Sequence, residues 1–335
     1  MGLWWRVFPA LCLFFVAILA QPPLMLTLTT DDAREEPLSV RVLTHNIRYA
    51  ATDRFEGEEP WEVRRQYVVN ELNFHTRNPA ESFICLQEVL HGQLVDVLAG
   101  LNDVSVPEDQ RWSYIGVGRD DGKQAGEYSP IFYRPAVWSL LRWETVWLSE
   151  TPDQPSKGWD AANIRILTVG VFQHRASGRT ILALNTHFDH VGVTARRESA
   201  RLVLQKIAEY RNGQNGTVTS GVFLAGDLNS PEDDGAYQEL TDTGASLRDT
   251  HSLIDARKRY GNELTYTGFG SEAPPSRIDY IFLGPWTGDA STPLPWTVHN
   301  YAVLPNKFDD GVANSDHRAV VVDAALTGIL TGKDS

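Results

Sequence analysis

Short apolar runs that stop on an acid, an amide or a histidine recur along this chain, and they constrain its fold more than any other feature. Val40–Asn46 closes in Thr44-His45-Asn46, and Phe83–Gln87 leads straight into Glu88. Thr180–His187 ends in Asn185-Thr186-His187, and Gly221–Ala225 runs into Gly226-Asp227-Leu228-Asn229. Arg277–Leu283 holds Asp279, and Ser315-Asp316-His317 opens the last run, His317–Val322. A carboxylate or amide buried without partners at the end of a core strand is costly. Repetition of the pattern therefore predicts one shared polar site at a common edge of the strands.

Further runs read as strands over Trp112–Val117, Ile131–Tyr133, Trp138–Leu148, Arg165–His174 and Thr297–Val303, most of them Val/Ile/Leu-rich and bounded by Gly, Asp, Asn or Pro. Amphipathic spacing predicts helices over Trp61–His75, Gly92–Leu101 and Thr194–Tyr210. Trp112–His187 carries strand after strand with no helix between, which argues against an alternating βα barrel and for an antiparallel middle block. The expected fold class is α+β: a four-layer αββα sandwich with two facing mixed β-sheets flanked by helices. No solenoid-length repeat or low-complexity tract interrupts it.

The apolar run Val7–Ala20 follows a short start carrying Arg6 and is broken by Gln21-Pro22-Pro23. That layout predicts a signal peptide over residues 1–20 and export from the cell, the alternative being an uncleaved anchor. A polar tether follows over 21–37, then the folded region over 38–326 and a tail over 327–335. Once the leader and Cys12 are gone only Cys85 remains, so the core must stabilise the mature chain without an internal disulfide. Asn215-Gly216-Thr217 is a glycosylation sequon. A net charge of −13 disfavours an extended nucleic-acid groove, and no basic amphipathic helix predicts stable membrane docking.

The residue types at the strand ends suit phosphoester hydrolysis. Glu88 and Asp316 offer hard oxygen ligands for Mg²⁺ or Mn²⁺, and no Cys/His cluster has zinc spacing. Asp227 can act as base or acid, Asn229 as a donor, and His317 as base or cationic stabiliser. A paired Asp279 would orient His317 and favour its charged form.

Taken together, Thr44-His45-Asn46-Ile47-Arg48, Leu86-Gln87-Glu88-Val89, Asn185-Thr186-His187, Gly226-Asp227-Leu228-Asn229-Ser230, Arg277-Ile278-Asp279-Tyr280 and Ser315-Asp316-His317 resemble the ordered motifs of the endonuclease/exonuclease/phosphatase superfamily. The resemblance runs from about Val40 to Val322. It implies that Glu88 is the main metal ligand with Asn46 close by and Asp316 near the metal. Asp227 would align or deprotonate the attacking water, and Asn229 would hold that water or the phosphate. His187 would contact phosphate or serve as a second acid/base.

Glu127–Arg134 resembles the segment of pancreatic-type deoxyribonucleases in which a Glu pairs with the histidine of the Asn-Thr-His motif, which implies a Glu127–His187 pair. Gly116–Gly122, Trp147-Leu148-Ser149, Gly158–Ala162 and Asp189–Gly192 resemble a narrower secreted branch, which implies that Arg119, Trp159 and Asp160 lie near the substrate. Arg119 would grip a phosphate, and Trp159 would stack on a ring or sugar face. The other histidines, His45, His91 and His190 included, read as structural, and Cys85 as core.

The resulting expectation is a metal-dependent hydrolase of a soluble phosphodiester or phosphomonoester. A secreted nuclease acting on DNA or RNA is one alternative, and an inactive binding module on the same scaffold is another.

Overall fold

Period-2 alternation of apolar residues, read along the strands of the computed structural model, sorts each strand into an inner and an outer face. The structure describes residues 1–2, 36–211, 219–242, 244, 246–270, 274–286 and 293–327. The leader, nearly all of the tether and tail, and the 215–217 sequon lie outside the described residues.

Strands are numbered along the chain and form two sheets, of seven and six strands. The first holds β1 (Leu38–Asn46), β2 (Ser82–Gln87), β3 (Ser113–Ile115), β4 (Ile131–Tyr133), β10 (Arg259–Gly261), β12 (Trp296–Val303) and β13 (Val320–Leu326), in the order β10-β12-β13-β1-β2-β4-β3. The second holds β5 (Trp138–Trp147), β6 (Ile166–His174), β7 (Thr180–His187), β8 (Gly221–Asp227), β9 (Arg248–Asp249) and β11 (Asp279–Gly284), in the order β5-β6-β7-β8-β11-β9.

Inward-facing Val40, Val42, Phe83, Cys85 and Ile131 of the first sheet meet Phe172, Ile181, Ala183, Phe223, Ala225 and Ile281 of the second in one apolar core. Their neighbours face outward. Ile84, Leu86 and Phe132 pack beneath helices α1 (Trp61–Thr76) and α2 (His91–Leu101). Leu182, Leu184, Val222, Leu224 and Phe282 pack beneath α3 (Val193–Arg211) and α4 (Gly235–Thr241). The architecture is the expected α+β sandwich of two mixed sheets with helices outside. The middle block β5-β6-β7 is antiparallel throughout.

Parallel pairing decides where the polar residues go. β1 runs parallel to β2, so Asn46 and Gln87 end side by side. β7 runs parallel to β8, so His187 and Asp227 do the same. β11 is antiparallel to β8, and its first residue, Asp279, pairs with Asp227. The two sheets thus deliver their polar termini to one rim.

Three expectations are corrected in detail. The last strand is Val320–Leu326, three residues beyond the expected start at His317, because Ser315–His317 is held in a turn by Ser315 Oγ donating to the Asn46 carbonyl (2.6 Å). β3 is confined to Ser113–Ile115, because Gly116 turns the chain with φ +125°. The short elements β9, β10 and α4 were not expected from the sequence.

Candidate active site

Three residues at the rim have left-handed backbones, Arg48 at φ +56°, Glu88 at φ +61° and Asn229 at φ +47°. Side chains with a Cβ rarely adopt this conformation, and it concentrates at functional sites. In each case the chain swings out of a strand and aims a polar side chain across the rim. Gly226 (φ +149°) allows the approach, since a Cβ there would lie 2.1 Å from the Thr186 carbonyl oxygen.

Asn46 bridges the sheets. Its Nδ2 donates to Glu88 Oε1 (3.0 Å) and to Asp227 Oδ2 (2.9 Å), while its Oδ1 accepts the backbone N–H of Arg48 (3.0 Å). Asn46 is thus next to Glu88 as expected, with its oxygen tied to Arg48 and its NH₂ turned toward the carboxylates. Glu88 Oε2 accepts the Tyr49 N–H (3.1 Å), with the Arg48 guanidinium at 3.8 Å. Burial disfavours the charge on Glu88, but the Asn46 hydrogen bond, His317, Arg48 and the Tyr49 amide outweigh it and hold its pKa below the usual value.

His317 Nδ1 contacts Asp279 Oδ2 at 2.8 Å, and its Nε2 lies 3.7 Å from Asp227 Oδ2. Burial opposes the imidazolium, yet the Asp279 and Asp227 carboxylates overcome that penalty and hold the ring's pKa well above its ordinary value. Burial pushes Asp227 up to about 7, reinforced by Asp279 and opposed by His317 and Asn46. Burial and neighbouring Glu88 also raise Asp316. Asp227, Asp279 and His317 place ligand atoms within 4.8 Å of one another, but a charged His317 has no lone pair to give a metal, which leaves the carboxylates as the donors. Across this cluster the carboxylates of Glu88, Asp227, Asp279 and Asp316 outnumber the cations His317 and Arg48. That donor set suits a hard divalent cation.

On the opposite wall, Asn229 Nδ2 donates to His187 Nε2 (2.9 Å), and the Asn229 N–H donates to Asp227 Oδ1 (2.8 Å). His187 thus carries its proton on Nδ1. Burial, then the Arg165 and Arg119 charges, lower its pKa well below the ordinary value, so the ring is neutral. The expected partners Glu127 and His187 face one another, Glu127 Oε2 lying 3.9 Å from His187 Nδ1, beyond hydrogen-bond reach, while the same oxygen takes Arg119 NH1 at 2.7 Å. The Asp160 carboxylate caps α3 through the N–H groups of Ala195 (2.7 Å) and Thr194 (3.2 Å). Trp159 is held at φ +48° with its N–H on Glu150, a strained placement for a bulky residue.

Arg165 was missed by sequence reasoning as a site residue. It is buried, with NH1 lacking a hydrogen-bond partner 4.0 Å from Glu127, and Nε on Asp189 at 3.4 Å. Asp189 is in turn fixed by the N–H groups of Ala162, Asn163, Val191 and Gly192. A signal was present: Arg165 immediately precedes β6, the antiparallel neighbour of the strand that ends in His187.

The family model described as Endonuclease/Exonuclease/phosphatase family matches residues 43–317. The chain belongs to that family. As a member of the endonuclease/exonuclease/phosphatase family it is a phosphoesterase, and its sandwich is the family's fold. It is similar to an endonuclease/exonuclease/phosphatase from Bacteroides vulgatus at 33% identity, over 86% of this chain and 99% of that one, with a TM-score of 0.71. It is equally similar to a Bacteroides thetaiotaomicron mannosyl-6-phosphatase, at 33% identity over 85% of this chain and 99% of that one, with a TM-score of 0.71. The human Nocturnin catalytic domain shares the fold at 18% identity, over 88% of this chain and 95% of that one, with a TM-score of 0.60. No curated protein matches this phosphoesterase in sequence. Among its described residues no helix is long and apolar enough to cross a membrane.

Proposed function

We propose that this phosphoesterase hydrolyses a phosphate monoester borne by a sugar, with Mg²⁺ or Mn²⁺ as cofactor. The observation that carries the chemistry is the pairing of buried Asp227, with a pKa of about 7, and a charged His317 clamped by Asp279. Asp227 accepts a proton from the water that attacks phosphorus. His317 Nε2 donates a proton to the departing ester oxygen as the P–O bond breaks. Alcohol and phosphate result, and the proton count balances. Asn229 and Asn46 hold Asp227 in place.

Glu88 and Asp316, supported by Arg48 and Asn46, would hold the cation, which supplies charge neutralisation on the phosphate oxygens. Arg119, Arg165 and neutral His187 present donors on the opposite wall, and Trp159 offers a ring face for the leaving group. A sugar phosphate is favoured by the likeness to the mannosyl-6-phosphatase and by the acidic chain, which repels polyanions. The leader sequence supports action outside the cell.

The test is a panel of mannose 6-phosphate, glucose 6-phosphate, bis(p-nitrophenyl) phosphate, DNA and RNA, each with and without EDTA. Metal-dependent turnover of a sugar monoester at higher kcat/KM than the diesters is expected. Faster cleavage of nucleic acid would overturn the proposal.

A further inference from the structure

A cavity of about 420 Å³ opens where the edge strands of the two sheets face one another. Its size falls in the range that holds small ligands. Tyr114 and Ile115 line it from β3, and Leu140 and Trp143 from β5. None of its lining residues belongs to the phosphoester site.

The hairpin that leads from β3 to β4 and His91 at the start of α2 form its remaining walls. Gly118 N–H bonds the Lys123 carbonyl (3.0 Å), Asp120 N–H that of Ala125 (3.0 Å), and Arg119 N–H that of Glu127 (3.1 Å). This one hairpin serves two places: Arg119 and Glu127 belong to the phosphoester site, while Lys123, Gln124 and Tyr128 line the cavity.

The chemistry of the lining follows from its hydrogen bonds. Tyr128 Oη donates its only proton to the Lys123 carbonyl at 2.9 Å. The contact between Tyr128 Oη and His91 Nδ1 at 3.0 Å therefore needs the proton on Nδ1. Nε2 of the ring is left with no protein partner among the described residues. Lys123 and Gln124 are exposed and add a cationic donor and a two-sided amide. Trp143 on edge strand β5 is 41% exposed, a large ring left open beside these groups.

This set discriminates among ligands. An anion would meet a single exposed lysine for its charge and would leave the aromatic face unused. A lipid tail would leave the polar groups unpaired. A sugar ring matches both halves, because its C–H face lies on aromatic surface while its hydroxyls both donate and accept. We propose that this cavity binds one neutral glycosyl unit, with Trp143 as the stacking face. The inference rests on the sugar-phosphate reading only for the choice of sugar, and it makes the substrate a phosphorylated glycan rather than a free monosaccharide phosphate.

The test is calorimetric titration of the intact protein with methyl α-mannoside and mannobiose, neither of them phosphorylated. Millimolar binding that persists in excess inorganic phosphate is expected. Trp143→Ala should weaken it about tenfold, and Lys123→Ala should weaken it less. Both variants should turn over p-nitrophenyl phosphate as the parent does. Absence of binding, displacement of the sugar by inorganic phosphate, or binding indifferent to Trp143→Ala would each overturn the proposal. Sugar binding without any phosphomonoester turnover would sink the catalytic reading and leave this one standing, and turnover without sugar binding would do the reverse.

Discussion

His317 Nδ1 and Asp279 Oδ2 lie 2.8 Å apart with both side chains sealed from solvent. The pair links β11 to the turn before β13, and it fixes which ring nitrogen of His317 faces Asp227. A buried imidazolium is costly unless paired, so the charge on His317 depends on Asp279. Asp279→Asn should lower kcat by roughly 10²-fold or more, with a thermal midpoint close to the parent's. Retention of most of the activity would remove His317 from the acid role.

His317→Ala and Asp227→Ala should each lower kcat by roughly 10²–10⁴-fold, the usual worth of a positioned acid or base. Circular dichroism should confirm that both variants fold. A loss below about tenfold in either would undo its assignment.

Asp227 must be deprotonated to accept a proton, and burial raises its pKa to about 7. In the metal-free protein its carboxyl ¹³C resonance should therefore titrate near neutrality. Added Mg²⁺ should move that titration downward, since a nearby cation favours the charged form. The acid limb of kcat/KM then lies below the metal-free value. Titration of Asp227 in the ordinary carboxylate range without metal would refute the burial argument.

Arg165 is held in place by Asp189 and has a donor to spare. Arg165→Lys retains the charge but loses the planar fork. It should raise KM by about tenfold, the worth of one charge-assisted hydrogen bond, with a smaller change in kcat. An unaltered KM would show that the guanidinium only supports Asp189.

Gly226→Ala would drive a methyl into the Thr186 carbonyl and force a side chain into a backbone region reserved for glycine. The expected cost is about 3 kcal/mol, read as a lower denaturation midpoint. Because Asp227 is the next residue, activity should fall further than the loss of folded protein explains.

Much of this was legible in the sequence where one physical rule acts alone. Ile131–Tyr133 and Thr180–His187 are strands with the bounds their apolar runs predict, because both faces of each are buried. α4 and β9 are too short for any periodicity to register; only Asp234, which caps α4 by accepting the Ala236 N–H, marks the helix. The strand-end rule placed Glu88, Asp227, Asn229, Asp279 and His317 on one rim. It could not decide which neighbour each polar atom chooses. Asn46 turns its NH₂ inward because the Arg48 amide claims its oxygen, and Glu127 shares one carboxylate oxygen between Arg119 at 2.7 Å and His187 at 3.9 Å. Asp160 reads like a site residue in sequence but serves the exposed amides of a helix start. Such choices depend on side-chain geometry across distant segments.

Beneath the rim, Gln87 Nε2 donates to Asn185 Oδ1 at 2.7 Å, and Asn185 Nδ2 returns bonds to the Leu86 and Pro130 carbonyls. This amide clasp is buried, and it joins one sheet to the other. A slip of one residue between the layers would strand every one of its polar atoms, so the spacing of the groups above it is inherited from the clasp. Chimeras that exchange a whole sheet layer with a relative should therefore keep activity only when the incoming layer brings an amide to the place of the one it replaces, which makes Gln87 and Asn185 the joint at which such an enzyme can be recombined.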